Sequence, residues 1–254
     1  LRLVGSEMCI RDRFLTLLVL ISCSKSINEK PNIIIVMTDD QGYGDLGFNG
    51  NEIIKTPNLD KFASESINFT NYHVGTTCSP TRAGFITGRN CLRNGVWHTN
   101  AGCSLLNQDE VTMGNVFLDA GYETGLFGKW HLGDTGFFPE DQGFEINKGG
   151  HDKGAPPGGY YTPYDNPKLE DGPVGEQLTD RLTDESLHFI QQNQQNPFLL
   201  YLSYYTVHTP IQAHRDHLPK FQNKKKTIKD TLAMKVKEGG GYTDQNQYNA
   251  EYDS

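Results

Sequence analysis

The hydrophobic positions of this chain fall into short runs that are separated by polar, glycine-rich segments. Residues 32–37 form a continuous β-branched run, which predicts a strand buried on both faces of a parallel sheet. The runs at 122–127 and 198–204 predict two further strands, and the alternating residues 67–74 predict another one.

Helical patterns occupy the segments between these strands. Helices are predicted at 78–88, at 112–120 and at 176–191, and a short one opens at Thr56. Because strands and helices alternate along the chain, the predicted fold class is α/β, with a mainly parallel central sheet flanked by helices. Beyond Phe221 the chain becomes polar, and no further buried strand is predicted.

Residues 133–175 are rich in glycine, proline, tyrosine and aspartate. A segment of this length is more than a connector, and long loops of this kind often shape a substrate pocket. The loop residues that could line such a pocket are His151, Asp152, Tyr160 and Tyr161.

The segment that begins at Cys78 predicts a loop that turns into a helix. Pro80 suits the first helical turn, Ser79 can cap that turn, and Gly88 is placed to end the helix. Cys78 would then lie at a helix N-terminus, where free N–H groups favour negative charge, and Arg82 would follow on the same face. This combination predicts a site for a tetrahedral oxyanion such as sulfate or phosphate.

Side chains capable of chemistry also follow the predicted strands. Asp39 and Asp40 follow the first strand, where α/β proteins place ligands, and their hard oxygens suit Ca²⁺ or Mg²⁺. Taken alone, this pair could equally be an acidic turn open to water. Lys129 and His131 follow a later strand two residues apart, so they point to the same side, and His208 follows the last strand.

The string Cys78-x-Pro80-x-Arg82, followed by Thr87-Gly88, closely resembles the activation motif of the type I sulfatases, which belong to the alkaline-phosphatase-like superfamily. In that family the cysteine is oxidised after translation to formylglycine, whose hydrate is the nucleophile. The resemblance therefore implies a formylglycine derived from Cys78. It also implies a formylglycine-generating or sulfatase-maturating enzyme as a partner.

Two further segments resemble the same family. The paired aspartates resemble the sulfatase metal site, which implies that Asp39, Asp40 and the modified Cys78 bind Ca²⁺. The Gly-Lys-Trp-His segment at 128–131 resembles the stretch whose lysine and histidine contact the sulfate and the formylglycine.

The resemblance also implies a role for each remaining site residue. Arg82 would stabilise the formylglycine hydrate, and His131 would orient it. Lys129 would bind the sulfate and support charge in the transition state. His208 would bind the substrate beside the leaving-group oxygen and is a candidate acid for the departing alcohol.

These features imply a sulfuric ester hydrolase that acts on a sulfated carbohydrate or an aryl ester. Two alternatives stay open. A phosphatase or phosphonate hydrolase of the same superfamily often carries threonine or serine at the position of Cys78 and uses two metals. A non-catalytic glycan-binding lipoprotein would use the pocket only to hold an anion, and it would not need the aldehyde.

The net charge limits which classes of partner this chain could bind. The formal net charge is −8 and no basic run dominates, which argues against nucleic acid as the main partner. An anionic substrate is still compatible with this charge, because cations in a cleft can outweigh the net charge of the whole chain.

The cysteines show no spacing typical of a zinc site. Cys91 and Cys103 could form a disulfide in an exported protein or be two unpaired thiols.

The N-terminal residues predict processing rather than fold. Residues 1–13 resemble a translated adaptor sequence and are a non-native leader in this interpretation. Residues 14–23 fit a signal peptide whose apolar run is too short to span a membrane. They end in Leu-Ile-Ser-Cys, which resembles the lipobox of bacterial lipoproteins. We expect export to the periplasm or cell envelope, with lipidated Cys23 as a membrane anchor or with a plain cleaved signal.

The resemblance covers residues 31–254, as the N-terminal part of a sulfatase catalytic domain. The family continues with an Asp-Asn-Gly type of segment that completes the metal site, a further lysine and a smaller C-terminal domain. This chain contains no Asp-Asn-Gly or Asp-His-Gly. We therefore expect a sheet that is incomplete at the C-terminus and a chain that is inactive alone.

Overall fold

The structure, a computed structural model, describes residues 30–100, 102–226, 235–238, 241–244 and 249–254. Contacts divide the chain into two units, Leu1–Pro31 and Asn32–Ser254, and all the described helices and strands belong to the second. The predicted leader and signal peptide, with Cys23, lie outside the described residues. Among the described helices, none combines the length and the apolar character that crossing a bilayer requires.

The helices of the described residues are α1 (Pro57–Ser64), α2 (Cys78–Thr87), α3 (Met113–Asp119), α4 (Leu178–Gln192), α5 (Leu218–Lys225) and α6 (Ala250–Asp253). The strands are β1 (Ile33–Met37), β2 (Glu123–Gly128), β3 (Ile146–Lys148), β4 (Phe198–Ser203), β5 (Lys235–Glu238) and β6 (Gly241–Asp244). Short 3₁₀ turns lie at Tyr43–Asp45, Gly47–Asn49 and Pro139–Gln142.

Four strands form one parallel sheet in the order β1-β4-β2-β3. Met37 of β1 and Gly128 of β2 both lie level with Ser203 of β4 in the hydrogen-bond register. Three strands therefore end at one edge of the sheet, and the chain segments that follow them meet there. The predicted α/β fold with a parallel sheet and flanking helices is confirmed.

The core forms on both faces of β4, whose six residues are all buried. Alternate residues of a strand face opposite sides. Leu200 and Leu202 accordingly pack in one cluster with residues of α4, while Leu199 and Tyr201 pack in another with residues of α2. Helices thus cover both sides of the central strand, which explains its continuous apolar run.

The prediction that β1 is buried on both faces is wrong. Ile33, Ile35 and Met37 pack against the core, whereas Ile34 and Val36 are exposed. The reason is positional: β1 is the end strand of the sheet, and within the described chain its main contact with another element is with β4.

The strand predicted at 67–74 is also wrong. These residues have no regular structure, and Ile67, Phe69, Tyr72 and Val74 are exposed. A strand needs a neighbour that accepts its backbone hydrogen bonds, and the described part of the chain places none beside this segment.

The other predicted elements are present. Helix α3 begins after Thr112, whose hydroxyl accepts a hydrogen bond from the Asn115 N–H at 3.2 Å, and Gly121 follows its end. Helix α4 begins two residues later than predicted. The long loop contains β3, a strand of three residues that is too short for a sequence pattern. The antiparallel pair β5 and β6 was not predicted either.

Candidate active site

Helix α2 presents Cys78 as its first residue. The residue before it, Thr77, is the N-cap, and Gly88 ends the helix in the left-handed conformation with φ +64°. The predicted cap at Ser79 is wrong, because the helix begins earlier and encloses this serine. The Ser79 hydroxyl instead donates to the carbonyl of His131 at 2.9 Å. This bond ties the first turn of α2 to the segment that follows β2.

The Cys78 thiol lies next to an imidazole, with 3.3 Å between Sγ and Nδ1 of His131. The His131 N–H donates to the carbonyl of His151 at 3.1 Å, and this contact helps to hold a backbone with φ +60°. Burial, and then the charges of Lys129 and Arg82, lower the pKa of His131 to about 4. The imidazole beside Cys78 is therefore neutral near pH 7.

Three charged side chains are buried together behind this pair. Lys129, Arg82 and Asp39 are 0%, 3% and 4% exposed. The Lys129 ammonium contacts Oδ2 of Asp39, and Nη2 of Arg82 lies 3.6 Å from Oδ1. Backbone hydrogen bonds fix Asp39, because its N–H donates to Thr206 at 2.8 Å and its carbonyl accepts from Val207 at 2.6 Å. Two buried cations facing one buried anion leave a positive surplus.

Ser203 joins these cations and was missed by the sequence analysis. Its hydroxyl donates to the carbonyl of Lys129 at 2.7 Å and accepts from Nη1 of Arg82. Nη1 also donates to the Lys129 carbonyl at 3.1 Å. Among the described residues, the buried Nε of Arg82 has no acceptor. The sequence feature that could have indicated Ser203 is a serine near the carboxyl end of an otherwise apolar strand.

Asp40 and His208 form a second, more open part of the site. The Asp40 side chain is 59% exposed, and its Oδ2 lies 3.9 Å from Nε2 of His208. Nδ1 of His208 lies 2.7 Å from the carbonyl of Thr209, which can only accept, so we assign a proton to Nδ1. Nε2 can then donate only when the ring carries both protons.

The acidic residues of the site offer the type of ligand atom, carboxylate oxygen, that a hard divalent cation prefers. Asp39 and Asp40 offer carboxylate oxygens at the end of β1. Ca²⁺ takes about six to eight oxygens, so two aspartates supply only part of a coordination shell. Within the described ranges, no group of three or more His, Cys, Asp or Glu side chains could hold a metal ion.

The site opens into cavities. One of about 370 Å³ includes His208, and one of about 440 Å³ includes His131. A third, of about 530 Å³, lies between the end of β1 and α2, and its polar lining residues include Asp39, Asp40, Gln41, Thr77, Cys78 and Arg82.

The four loop residues expected to line a pocket do not all do so. His151 is buried and supports the backbone of His131, and Asp152 lines the cavity beside that histidine. The Tyr160 hydroxyl donates to the His208 carbonyl at 2.8 Å. Tyr161 does not line any of the three cavities. Outside the loop, Cys91 and Cys103 are free thiols in this structure.

A family model described as Sulfatase matches residues 31–254. The chain therefore belongs to the sulfatase family. Its curated relatives include human arylsulfatase G, 36% identical over 225 residues, which cover 74% of this chain and 43% of that protein. Mouse N-acetylgalactosamine-6-sulfatase is 35% identical over 225 residues, covering 75% of this chain and 42% of that protein. The chain thus spans less than half the length of these relatives.

Solved structures agree with this assignment. The structure of BT4656 in complex with its substrate D-glucosamine-2-N,6-O-disulfate is 32% identical with a TM-score of 0.66, covering 81% of this chain and 40% of that one. The structure of Ps i-CgsB in complex with a neocarrahexaose is 30% identical with a TM-score of 0.64, covering 77% of this chain and 49% of that one.

Proposed function

We propose that the protein is a sulfuric ester hydrolase that acts on a sulfated carbohydrate or an aryl sulfate ester. The observation that carries this proposal is the pair of buried cations behind Cys78. Arg82 and Lys129 share one buried counter-charge, Asp39. A positive surplus, together with the unpartnered Nε of Arg82 among the described atoms, favours a bound oxyanion beside the thiol.

The substrate class rests on the relatives. One structural relative binds a disulfated glucosamine, and another curated relative is named for a sulfated amino sugar. Because about a third of the aligned residues are identical in each comparison, we extend the class, and not the particular sugar, to this protein.

Two groups would complete the chemistry. Cys78 oxidised to formylglycine would supply, as the hydrate, the hydroxyl that attacks sulfur. Ca²⁺ held by Asp39, Asp40 and the modified Cys78 would polarise the sulfate oxygens. The hard carboxylate oxygens of the two aspartates support this choice of ion.

The side chains of the site have distinct roles in this proposal. His131, neutral and adjacent to residue 78, orients the nucleophilic hydroxyl. Arg82 and Lys129 bind the sulfate oxygens and stabilise the charge that develops on them. His208, whose Nδ1 faces the Thr209 carbonyl, is the candidate acid that gives a proton from Nε2 to the departing alcohol.

We also propose export, with Cys23 as a lipid anchor, because a short apolar run ends in Leu-Ile-Ser-Cys. The exported full-length protein should partition into the detergent phase, and Cys23→Ser should release it. Equal solubility of both proteins after export would instead indicate an ordinary cleaved signal.

The experiment that tests the function combines mass spectrometry with turnover. The full-length protein is produced with a formylglycine-generating enzyme, and the peptide that contains residue 78 is analysed for the aldehyde. Aryl sulfate turnover should be lost in Cys78→Ala and retained in Cys91→Ala, a control at another free, half-buried thiol. An intact thiol with faster turnover of aryl phosphate would identify a phosphatase. Glycan binding without any turnover would identify a binding protein.

A further inference from the structure

The loop that carries the two aspartates is held firmly on one side. Backbone hydrogen bonds link Asp39 to the segment after β4. The next residue, Asp40, has φ +56°, a left-handed conformation that is uncommon outside glycine but that aspartate adopts more readily than most residues. The Asp40 side chain is largely exposed, so the conformation of the loop backbone sets where its carboxylate lies.

Asp45 closes this loop on itself. It is 8% exposed, and its Oδ2 accepts a hydrogen bond from the Gly42 N–H at 2.6 Å. This bond closes the 3₁₀ turn Tyr43–Asp45, which follows the aspartate pair after two intervening residues. A buried carboxylate with one backbone donor needs further partners, because burial without hydrogen bonds is costly.

The second donor comes from the far end of the described chain. The hydroxyl of Tyr252, in α6, donates to the same Oδ2 of Asp45 at 2.5 Å and lies 3.5 Å from the carbonyl of Asp40. The phenol is the donor in this contact, because the carboxylate oxygen that it meets can only accept. Helix α6 packs against α5.

We propose that Tyr252 is a positioning residue for the cation site: through Asp45 it holds the turn that places the Asp40 carboxylate. This inference rests on the Ca²⁺ site of the proposed function. Without the hydroxyl, Asp45 loses one of its donors, the turn loosens, and the Asp40 carboxylate is less well placed. Arg82 and Lys129, the side chains proposed to bind sulfate, make their hydrogen bonds and ion pairs with other residues than Tyr252 and would stay in position.

Calorimetric titration of the metal-free, full-length protein with CaCl₂ tests the proposal. Tyr252→Phe removes only the hydroxyl and should weaken Ca²⁺ binding about tenfold, as is typical when a group that orients a metal ligand is lost. Tyr43→Phe is the matched control, because Tyr43 lies in the same turn with a side chain that is 74% exposed. It should bind Ca²⁺ as the wild type does.

Two further measurements separate positioning from general damage. Saturating Ca²⁺ should restore the kcat of Tyr252→Phe to the wild-type value, which it would not do if the variant were simply misfolded. In a double-mutant cycle, adding Asp45→Asn to Tyr252→Phe should cost less than Asp45→Asn alone, because the two residues act through one hydrogen bond.

The outcomes distinguish the two proposals. If Asp40→Asn abolishes Ca²⁺ binding but Tyr252→Phe binds normally, the positioning role is refuted and the metal site stands. A kcat loss in Tyr252→Phe that Ca²⁺ does not restore also refutes the role. If the wild type binds no Ca²⁺, or if Asp40→Asn leaves binding unchanged, the metal site itself is refuted, and the role of Tyr252 with it.

Discussion

Ser203 and Lys129 are joined by two hydrogen bonds, one in each direction. The Lys129 N–H donates to the Ser203 carbonyl at 2.7 Å, and the Ser203 hydroxyl donates to the Lys129 carbonyl at 2.7 Å. Arg82 donates to the same hydroxyl from α2. A single serine at the end of β4 therefore sets the positions of both cations that we propose to bind sulfate.

Ser203→Ala should reduce kcat/KM for an aryl sulfate about tenfold in the full-length protein. The substitution leaves a buried guanidinium N–H with one acceptor fewer, which costs about 1–3 kcal/mol and permits Arg82 to shift. Steady-state kinetics measures the effect.

The matched control for this variant is Ser186→Ala. Ser186 is also buried, but its hydroxyl donates to the Leu182 carbonyl within α4, away from the cations. Its kcat/KM should stay at the wild-type value. Equal losses of activity in the two variants would mean that Ser203 contributes to stability and has no particular role in the site.

Gly128 allows β2 and β4 to approach each other where both end. Its φ is +104°, and a Cβ at this position would lie 2.0 Å from the carbonyl oxygen of Ser203. Gly128→Ala should therefore lower the free energy of unfolding by more than about 3 kcal/mol, since the clash is with backbone.

The control for the glycine prediction is Gly136→Ala. Gly136 has φ +85°, but a Cβ at this position would meet no atom within 4 Å, so only the left-handed strain of about 1–2 kcal/mol should appear. Urea unfolding of both variants measures the difference. A loss at Gly128 no larger than that at Gly136 would contradict the close approach described above.

The sequence predicted the location of the site because parallel strands share a carboxyl edge. Asp39, Lys129 and His208 each follow an apolar run, and the register places those runs level with one another. The prediction of an oxyanion site at Cys78 rested on helix geometry. Both predictions use local sequence patterns, and the first also uses the rule that parallel strands end at the same edge of a sheet. No tertiary contact has to be known for either of them.

Other features depend on contacts that no local pattern contains. The bond between Arg82 and Ser203 joins residues 121 positions apart. Serine is a common helix cap, but α2 begins before Ser79, and the Ser79 hydroxyl donates to the His131 carbonyl instead. Residues 67–74 alternate as a strand does, yet alternation cannot reveal whether a neighbouring strand exists to pair with it.

The pH dependence of stability should include a contribution from His151. Burial lowers the pKa of His151 below its ordinary value of 6.5, although Asp152 opposes the shift. Protonation would also displace the Lys153 N–H that donates to Nδ1 at 3.1 Å. Below pH 6.5 the unfolded chain therefore binds a proton that the folded chain does not. The contribution of His151 to the free energy of unfolding should fall as the pH drops through this window and be level above it.

Urea unfolding between pH 7 and about pH 5 measures this contribution. The variant His151→Gln removes the titrating group, so its free energy of unfolding should change less steeply with pH than that of the wild type. The comparison concerns slopes, and it holds even if the substitution lowers stability at every pH. Identical slopes would contradict the assignment of this contribution to His151.

The two aspartates should respond differently to the loss of charge. Asp39 is buried against Lys129 and Arg82, so Asp39→Asn leaves two buried cations without a counter-charge. Breaking a buried ion pair in this way costs about 3–5 kcal/mol. Asp40 is largely exposed, and asparagine tolerates its positive φ, so Asp40→Asn should change stability by less than about 0.5 kcal/mol. Both variants should lose Ca²⁺-dependent turnover.

Urea unfolding of the metal-free, full-length protein measures the change in stability of each variant independently of its loss of turnover. A further variant tests the cause directly: Lys129→Met added to Asp39→Asn removes one of the unpaired cations. The double variant should therefore be more stable than Asp39→Asn alone, although it lacks one more site residue. If it is less stable, the loss in Asp39→Asn does not come from unpaired buried charge. Equal stability of Asp39→Asn and Asp40→Asn would show that the ion pairs of Asp39 contribute little to folding.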